Sequence, residues 1–374
     1  MELFLTLHFQ DILFGKNKYL PFDIILNIFF ITFTSKLTFS SEEYMADYET
    51  LYREQPLVTF ALFTYNQSSF VMDAVEGALS QTYPRIEFIF SDDASSDNTF
   101  ELMSNLVDTH PRAKSVNLIK NTHNLGIIKH LNKVLNIAKG ELVILAAGDD
   151  ISLPNRTEYI VSKYIKLGRT EVLIHSSVIK INNDGDPQGD WIPDLIVKKL
   201  TYDEISISEN LYIGASGAIS SGLMRSFSPI FEYRVYEDRV YGFRAALLNG
   251  LEYIDTPLIR YRVGDGISTR TSSNPKFFLR KFVNWKNKQA IYLALLRQRY
   301  QDLKEVEHRT PHDNLHFIFT LSKEEAKNYF LNFKIHSLFL LFLTNPKSVL
   351  LAFKELMGLV RLHFFKLLYY FKEA

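Results

Sequence analysis

Ala138-Lys139-Gly140-Glu141-Leu142-Val143-Ile144-Leu145-Ala146-Ala147-Gly148-Asp149-Asp150 is the stretch from which the fold of this chain is read. Ahead of it, Ile127, Leu131, Val134, Leu135 and Ala138 recur at helical spacing, and Gly140 is expected to close that helix as its C-cap. Leu142–Ala147 is then an unbroken apolar run, as a strand buried on both faces requires, and it ends in a glycine and two carboxylates. Helix, buried strand and polar turn in succession predict a parallel α/β sheet, in which ligands sit beyond the carboxyl ends of the strands.

The same alternation extends in both directions. Leu57–Phe63, Ile86–Phe90, Val116–Ile119 and Val172–Ile179 are further short apolar runs, and Val71, Ala74, Val75, Ala78 and Leu79 form another helical stripe that Ser68 or Ser69 is placed to cap. The fold class is therefore α/β, a Rossmann-like, mostly parallel sheet flanked by helices over 56–270. With 374 residues, 47% of them hydrophobic and 14% aromatic, the chain can bury a sizeable core, which excludes general disorder. Lys+Arg and Asp+Glu are equal at 42 each, so no whole-chain basic field exists to hold nucleic acid, and no nucleic-acid partner is expected. The absence of cysteine excludes disulfides and thiolate-held metals and points to a reducing compartment, while the carboxylates leave room for an oxygen-ligated cation.

The flanks differ in composition. In residues 1–44 the longest apolar stretch, Ile24 to Phe33, lies between Asp23 and Lys36 and falls short of the roughly 20 residues of a membrane span. Glu2 and the lack of a small-residue cleavage site fit a secretory signal poorly. Two readings stay open, a membrane-surface segment and a non-native extension ahead of a start at Met45. The 271–374 region reads as helical and basic-aromatic. Within 346–374, Lys347, Lys354, Arg361, Lys366 and Lys372 stand against Glu355 and Glu373, a net charge of +3. Lys347, Lys354 and Arg361 recur every seven residues on one helical stripe, so 346–374 is a candidate membrane-surface helix, the alternative being a helix packed on the α/β domain or on a second subunit.

The strand ends carry the chemistry. Thr64-Tyr65-Asn66-Gln67 follows the first strand, where an aromatic ring and amides suit a flat ligand. Ser91-Asp92-Asp93-Ala94-Ser95-Ser96-Asp97 follows the second; Asp97 or Ser96 reads as a helix cap, whereas adjacent Asp92 and Asp93 repel and call for a compensating partner such as nucleobase N–H groups or a cation. Asp149-Asp150 suits a hard divalent cation that in turn neutralises a diphosphate, all the more because no Gly-rich phosphate loop of either common type is present. Glu237-Asp238 opens a helical stretch, where carboxylates either oppose the helix dipole or act as a general base.

The ordered set Phe63-Thr64-Tyr65-Asn66, Ser80-Gln81-Thr82-Tyr83-Pro84, Ser91 to Asp97, Asn124-Leu125-Gly126, Ala138-Lys139-Gly140-Glu141, Gly148-Asp149-Asp150 and Glu237-Asp238 resembles family 2 glycosyltransferases of the GT-A fold, in order and spacing, over about 56–265. The resemblance implies an inverting transferase that uses a nucleoside-diphosphate sugar, most often a UDP-sugar, and a glycan or lipid-linked acceptor. By position, Phe63, Tyr65, Asp92 and Asp93 resemble the nucleobase and ribose site, and Asn124 and Gly126 the next loop of the nucleotide pocket. Asp149 matches the ribose- or sugar-holding acid and Asp150 the ligand of Mn²⁺ or Mg²⁺. Asp238 matches the catalytic base with Glu237 supporting it, and Gly214-Ala215-Ser216-Gly217 the turn shaping the donor-sugar and acceptor pocket. Two departures stand out. Many relatives carry a metal-binding histidine after a Tyr-Arg pair, where this chain reads Tyr261-Arg262-Val263-Gly264-Asp265-Gly266; either Asp265 substitutes or Asp150, phosphate and water suffice. Leu131 occupies an often basic position, for which Lys129 or His130 is the expected replacement. The family is commonest in bacterial surface-polysaccharide assembly, which implies a cytoplasmic enzyme, peripheral on the inner face of the membrane. A sugar-nucleotide pyrophosphorylase and a non-catalytic nucleotide-binding scaffold are the competing readings; the first lacks an early Gly-rich signature and leaves Glu237-Asp238 without a role.

Overall fold

The structure, a computed structural model, describes residues 55–168, 170–192, 200–263, 278–309, 315–331 and 335–357. The expected 1–44 extension, Gly264 to Gly266 and residues 358–374 of the basic-aromatic tail lie outside them. In chain order the elements are β1 (Val58–Thr64), α1 (Val71–Leu79), β2 (Ile86–Asp92), α2 (Thr99–Thr109), β3 (Val116–Lys120), α3 (Ile127–Ile137), β4 (Leu142–Ala147), β5 (Ile151–Ser152), α4 (Arg156–Lys166), β6 (Leu173–Ile181) and β7 (Pro187–Trp191). There follow α5 (Tyr202–Ile207), a 3₁₀ turn (Gly214–Ser216), β8 (Ala218–Ser220), α6 (Ser221–Arg225), α7 (Glu237–Leu247), β9 (Leu251–Arg262), α8 (Phe278–Val306), α9 (Leu315–Leu331), α10 (Ile335–Thr344) and α11 (346–357).

Every strand expected from the sequence is present. The nine strands form one sheet in the order β3-β2-β1-β4-β8-β6-β9-β5, with β7 on β6. Pairing is parallel from β3 to β4, but β8 runs antiparallel to both β4 and β6, so the sheet is mixed. The period of two sorts the side chains: Val58, Phe60, Leu62, Phe88, Phe90, Leu142 and Ile144 pack under α1, α2 and α4, while Ala61, Ile89, Val143 and Leu145 pack under α3, α7 and α8. The α8 and α9 residues Leu295, Leu296, Leu303, Phe317 and Leu321 belong to that second core, and Arg244 of α7 is buried against Asp302 of α8 at 2.8 Å. These helices thus complete one face of the sheet.

Two local expectations are corrected. Gly140 is no C-cap: α3 ends at Ala138 in an extended conformation, and a Cβ on Gly140 would lie 2.4 Å from Thr59 N and 2.5 Å from Leu142 O. Glycine is required there because backbone meets backbone. Neither Ser68 nor Ser69 caps α1, which starts without a side-chain cap. Val349 and Ala352 seat α11 against Ala326, Leu338 and Leu341, whereas Leu350, Phe353 and Met357 remain exposed. Among the described residues no helix is long and apolar enough to cross a membrane.

Candidate active site

The turns after β1, β2 and β3 are built around two aspartates. Asp92 accepts from Thr64 Oγ1 at 3.0 Å, Ser95 N at 2.8 Å and Ser95 Oγ at 2.5 Å. Asp93 accepts from Asn121 Nδ2 at 2.8 Å and from the N–H groups of Leu125 and Gly126, both at 2.9 Å. Both carboxylates are buried, and the compensation that their adjacency demanded comes from the protein's own donors rather than from a ligand. They fix the loops: Asn66 and Ala94 are held at φ 52° and 59°, and Gly126 at φ 77° as α3 begins. Phe63 and Tyr65 are half-buried beside these turns, and exposed Asn124 accepts from Gly126 N at 2.8 Å. Asp97 does bond the α2 start, through Thr99 N at 3.0 Å. His130 is not free to meet a phosphate: it is buried under the Phe63 ring, its Nε2 lies 2.7 Å from Ser91 Oγ, and burial holds its pKa down. Lys129 lies over the Tyr233 ring at 4.6 Å.

At the end of β4, a Cβ on Gly148 would meet Gln67 Oε1 at 2.5 Å, so glycine is what lets this turn close on the β1 turn. The Gln67 side chain hydrogen-bonds Asp149, whose carboxyl burial pushes up. Asp150 is buried and raised well above the usual carboxylate range, first by desolvation and then by Asp149. Arg262 locks the pair in place: its N–H donates to Asp150 Oδ1 at 2.8 Å and its Nε to Asp149 O at 3.0 Å, while Nη1 reaches the carbonyls of Asn182 and Asn183. Behind them, fully buried Arg156 donates to Ser152 Oγ at 2.9 Å, Leu145 O at 2.8 Å and Ala215 O at 2.7 Å, tying the β4 end to the 3₁₀ turn.

That turn abuts the third acidic pair. A Cβ on Gly214 would lie 2.3 Å from Glu237 Oε1, and the Gly214 N–H bonds Asp238. Ser216 does not line a pocket, because it is fully buried with its hydroxyl donating to Ile213 O at 2.7 Å; Gly217 is buried against the Tyr212 ring. They shape the site from behind. Glu237 and Asp238, half-buried, begin α7 without a side-chain cap. Burial raises both carboxyls, and Asp238 raises Glu237 further, whereas Arg239, the N–H groups of Arg239 and Gly214, and Arg299 draw Asp238 back down. Of the two carboxyls, Glu237 is therefore held the higher.

Tyr261 of β9 joins the two ends. Its phenol is pushed up to about 12, by burial first and then by Asp150, Asp149, Asp238 and Glu237, so both acidic pairs lie around one protonated hydroxyl. Nothing in local periodicity marks Tyr261, Arg156 or Arg299 as site residues. Among the described residues no three His, Asp or Glu side chains form a metal cluster, and Asp265 lies outside them. A groove of about 720 Å³ lined by Asn136, Lys139, Glu141 and Arg225 opens at the other end of β4; it takes in the Ala138-Lys139-Gly140-Glu141 motif but none of the residues expected to bind nucleotide, metal or acceptor.

Comparison with known proteins matches residues 59–234 to the family described as glycosyl transferase family 2. That stretch, just under half of the chain, is a glycosyl transferase family 2 module. An uncharacterised glycosyltransferase of Methanocaldococcus jannaschii is 25% identical over 246 residues, 63% of this chain and 82% of that one. The Escherichia coli UDP-Glc:alpha-D-GlcNAc-diphosphoundecaprenol beta-1,3-glucosyltransferase WfaP is 35% identical over 94 residues, 25% of this chain and 36% of its own length. Among solved structures, S. aureus TarS 1–349 in complex with UDP-GlcNAc gives a TM-score of 0.49 at 16% identity, covering 73% of this chain and 72% of that one. The Glu237-Asp238 pair and α7 to α11 lie beyond the matched stretch.

Proposed function

We propose that this glycosyltransferase moves a sugar, with inversion, from a nucleoside-diphosphate sugar to a hydroxyl of a glycan or lipid-linked acceptor in surface-polysaccharide assembly. The observation that carries this reading is that Asp149-Asp150 and Glu237-Asp238 both act on the Tyr261 phenol, which supports a diphosphate-side acid pair and a base-side acid pair in one site. A UDP-sugar is the preferred donor, in line with the donor named for the E. coli relative. Phe63 and Tyr65 then flank the nucleobase, Asn124 and Gly126 line the nucleotide loop, and Asp92 and Asp93 hold those loops in shape. Asp149 meets the ribose or sugar.

Asp150, with Asp149 beside it, fits a divalent cation: two adjacent carboxyls raised by burial, Asp150 by Asp149 as well, are relieved by one bound charge. Bound Mn²⁺ or Mg²⁺ would supply charge neutralisation on the departing diphosphate. The chain's own residues do the rest. Arg262 and Arg156 hold the acid pair from behind, Tyr261 keeps its proton between the two acidic pairs, and Asp238 takes the acceptor hydroxyl proton as that oxygen attacks the anomeric carbon from the face opposite the leaving group. Glu237, protonated, hydrogen-bonds the acceptor. One displacement inverts the configuration. The exposed Leu350, Phe353 and Met357 of α11, with Lys347 and Lys354, support a peripheral contact with an anionic membrane surface, on the cytoplasmic side.

A panel of nucleotide sugars with Mn²⁺, read by release of nucleoside diphosphate, tests the reading. UDP release is expected; production of pyrophosphate, or no turnover of any donor, would overturn it.

A further inference from the structure

Between α6 and α7 the chain runs along α3 toward the acidic pair. Buried Ile230 and Val235 anchor it, and between them Phe231 and Tyr233 are 48% and 58% exposed, with Arg234 exposed beside them. Its backbone is fixed from both sides. Asn132 of α3 donates to Ile230 O at 2.9 Å, while buried Gln298 of α8 accepts from the N–H groups of Phe231 at 3.0 Å and Glu232 at 3.2 Å and itself donates to Asp302 at 2.9 Å. Nearer the start of α3, Lys129 stands over the Tyr233 ring at 4.6 Å. The segment thus climbs from the middle of α3 to its first turn, beside the Gly126 loop that Asp93 holds, and then enters α7 at Glu237.

We propose that Phe231 and Tyr233 form the acceptor subsite, an aromatic shelf on which a pyranose ring of the glycan acceptor lies while its hydroxyl reaches Asp238. The proposal rests on the reading of Asp238 as the base of a glycosyl transfer. A pyranose has an apolar C–H face and a hydroxyl-bearing edge. The C–H face suits the electron-rich face of an aromatic ring, and the hydroxyls suit the donors of exposed Lys129 and Arg234. A single exposed ring is ordinary on a protein surface. Two rings on a backbone held by buried side chains of two helices are different, because a shelf already ordered loses little freedom when a ligand arrives. The occupant is set by place: 231–234 is the exposed stretch that leads directly into the acidic pair, on the side of the nucleotide loop where α3 begins. A sugar seated there lies beside the groups assigned to both the donor and the base.

The test is saturation-transfer NMR of the full chain with the methyl glycosides of glucose, galactose, mannose and N-acetylglucosamine, in the presence of UDP and Mn²⁺. The parent should saturate the ring C–H protons of at least one glycoside. Tyr233→Ala and Phe231→Ala should each weaken that binding about three- to tenfold in titration, and the double variant should abolish it. Tyr233→Phe should bind as the parent does, because the ring rather than the hydroxyl makes the contact. Should an alanine variant melt well below the parent, Tyr233→Leu and Phe231→Leu, which keep apolar bulk but no ring, decide by the same signal. No saturation of any glycoside by the parent, or binding unmoved in the double variant, would overturn the proposal. A parental dimer that the double variant turns into a monomer would give the rings to a second copy of the chain instead. Failure of the underlying reading is read separately: a parent that releases nucleoside diphosphate from no donor refutes the transferase, whereas release by the parent with unmoved glycoside binding in the ring variants refutes only the shelf.

Discussion

Replacing Asp238 by Asn removes the proton acceptor while changing little else in the site. The Asn carbonyl can still accept from Arg239 N, as Asp238 Oδ1 does at 2.7 Å, and side-chain volume is conserved. A positioned base contributes about 10² to 10⁴ in rate, which at about 1.4 kcal/mol per tenfold is about 3 to 5.5 kcal/mol on the barrier. Folding should not suffer. Burial holds both carboxyls of the pair above their ordinary values, so between the unfolded and folded pKa the native state binds more protons than the unfolded one, and stability falls as pH rises through that window. Removing the Asp238 charge relieves Glu237 and should flatten this alkaline loss. The assays are UDP release from a UDP-sugar, UDP binding by calorimetry, and thermal melts at pH 5 and pH 9. A fall of 10² to 10⁴ in rate is expected, with binding intact and the difference between the two melts reduced. Glu237→Gln should be milder, since a neutral amide can still donate to the acceptor. A parental rate in Asp238→Asn with an inactive Glu237→Gln would assign the base to Glu237 instead. Two active variants would reduce the pair to a helix start.

Asp150→Ala should abolish the Mn²⁺-dependent part of UDP binding in calorimetry, because it removes a carboxylate in which burial and Asp149 oppose an unpaired charge; unchanged metal dependence would place the cation elsewhere. Gly140→Ala, whose Cβ meets backbone atoms of Thr59 and Leu142, should destabilise the fold by about 1–3 kcal/mol in urea titration, and a neutral result would refute the close-approach argument. Leu350→Glu with Phe353→Glu, on the exposed face of α11, should abolish sedimentation with anionic vesicles at low salt while UDP release persists; retained sedimentation would rule this face out as the contact. A chain beginning at Met45 should turn over donor like the full chain, since the motifs all follow it; a folded, inactive product would give 1–44 a role.

The first half of the sheet was legible because each strand is an apolar run that must be buried on both faces, and such runs are written in adjacent residues. Leu57–Phe63, Ile86–Phe90, Val116–Ile119 and Leu142–Ala147 all became parallel strands within a residue or two. The short β8, three residues long, carries no such run; it enters antiparallel beside β4 because the chain returns there after the long excursion through β6. Gly140 is a glycine because of neighbouring backbone and not as a helix cap: the sequence marks a glycine but not whether a φ or a close approach demands it.

The amino-acid sequence by itself determined which residue types stand at each strand end, and so the three acidic pairs, since these depend on neighbours along the chain. What each carboxylate meets was decided only in three dimensions. Asp93 takes its donors from Asn121, Leu125 and Gly126, Asp150 from Arg262, and Asp238 its support from Gly214 and Arg299, all partners chosen by sheet order and helix packing. Periodicity reaches only a few residues along the chain, whereas the hydrogen bonds and desolvation that set a charge's state depend on whichever segments the sheet places beside it. The same physics made His130 and Ser216 part of the framework and drew Tyr261 in among both acidic pairs.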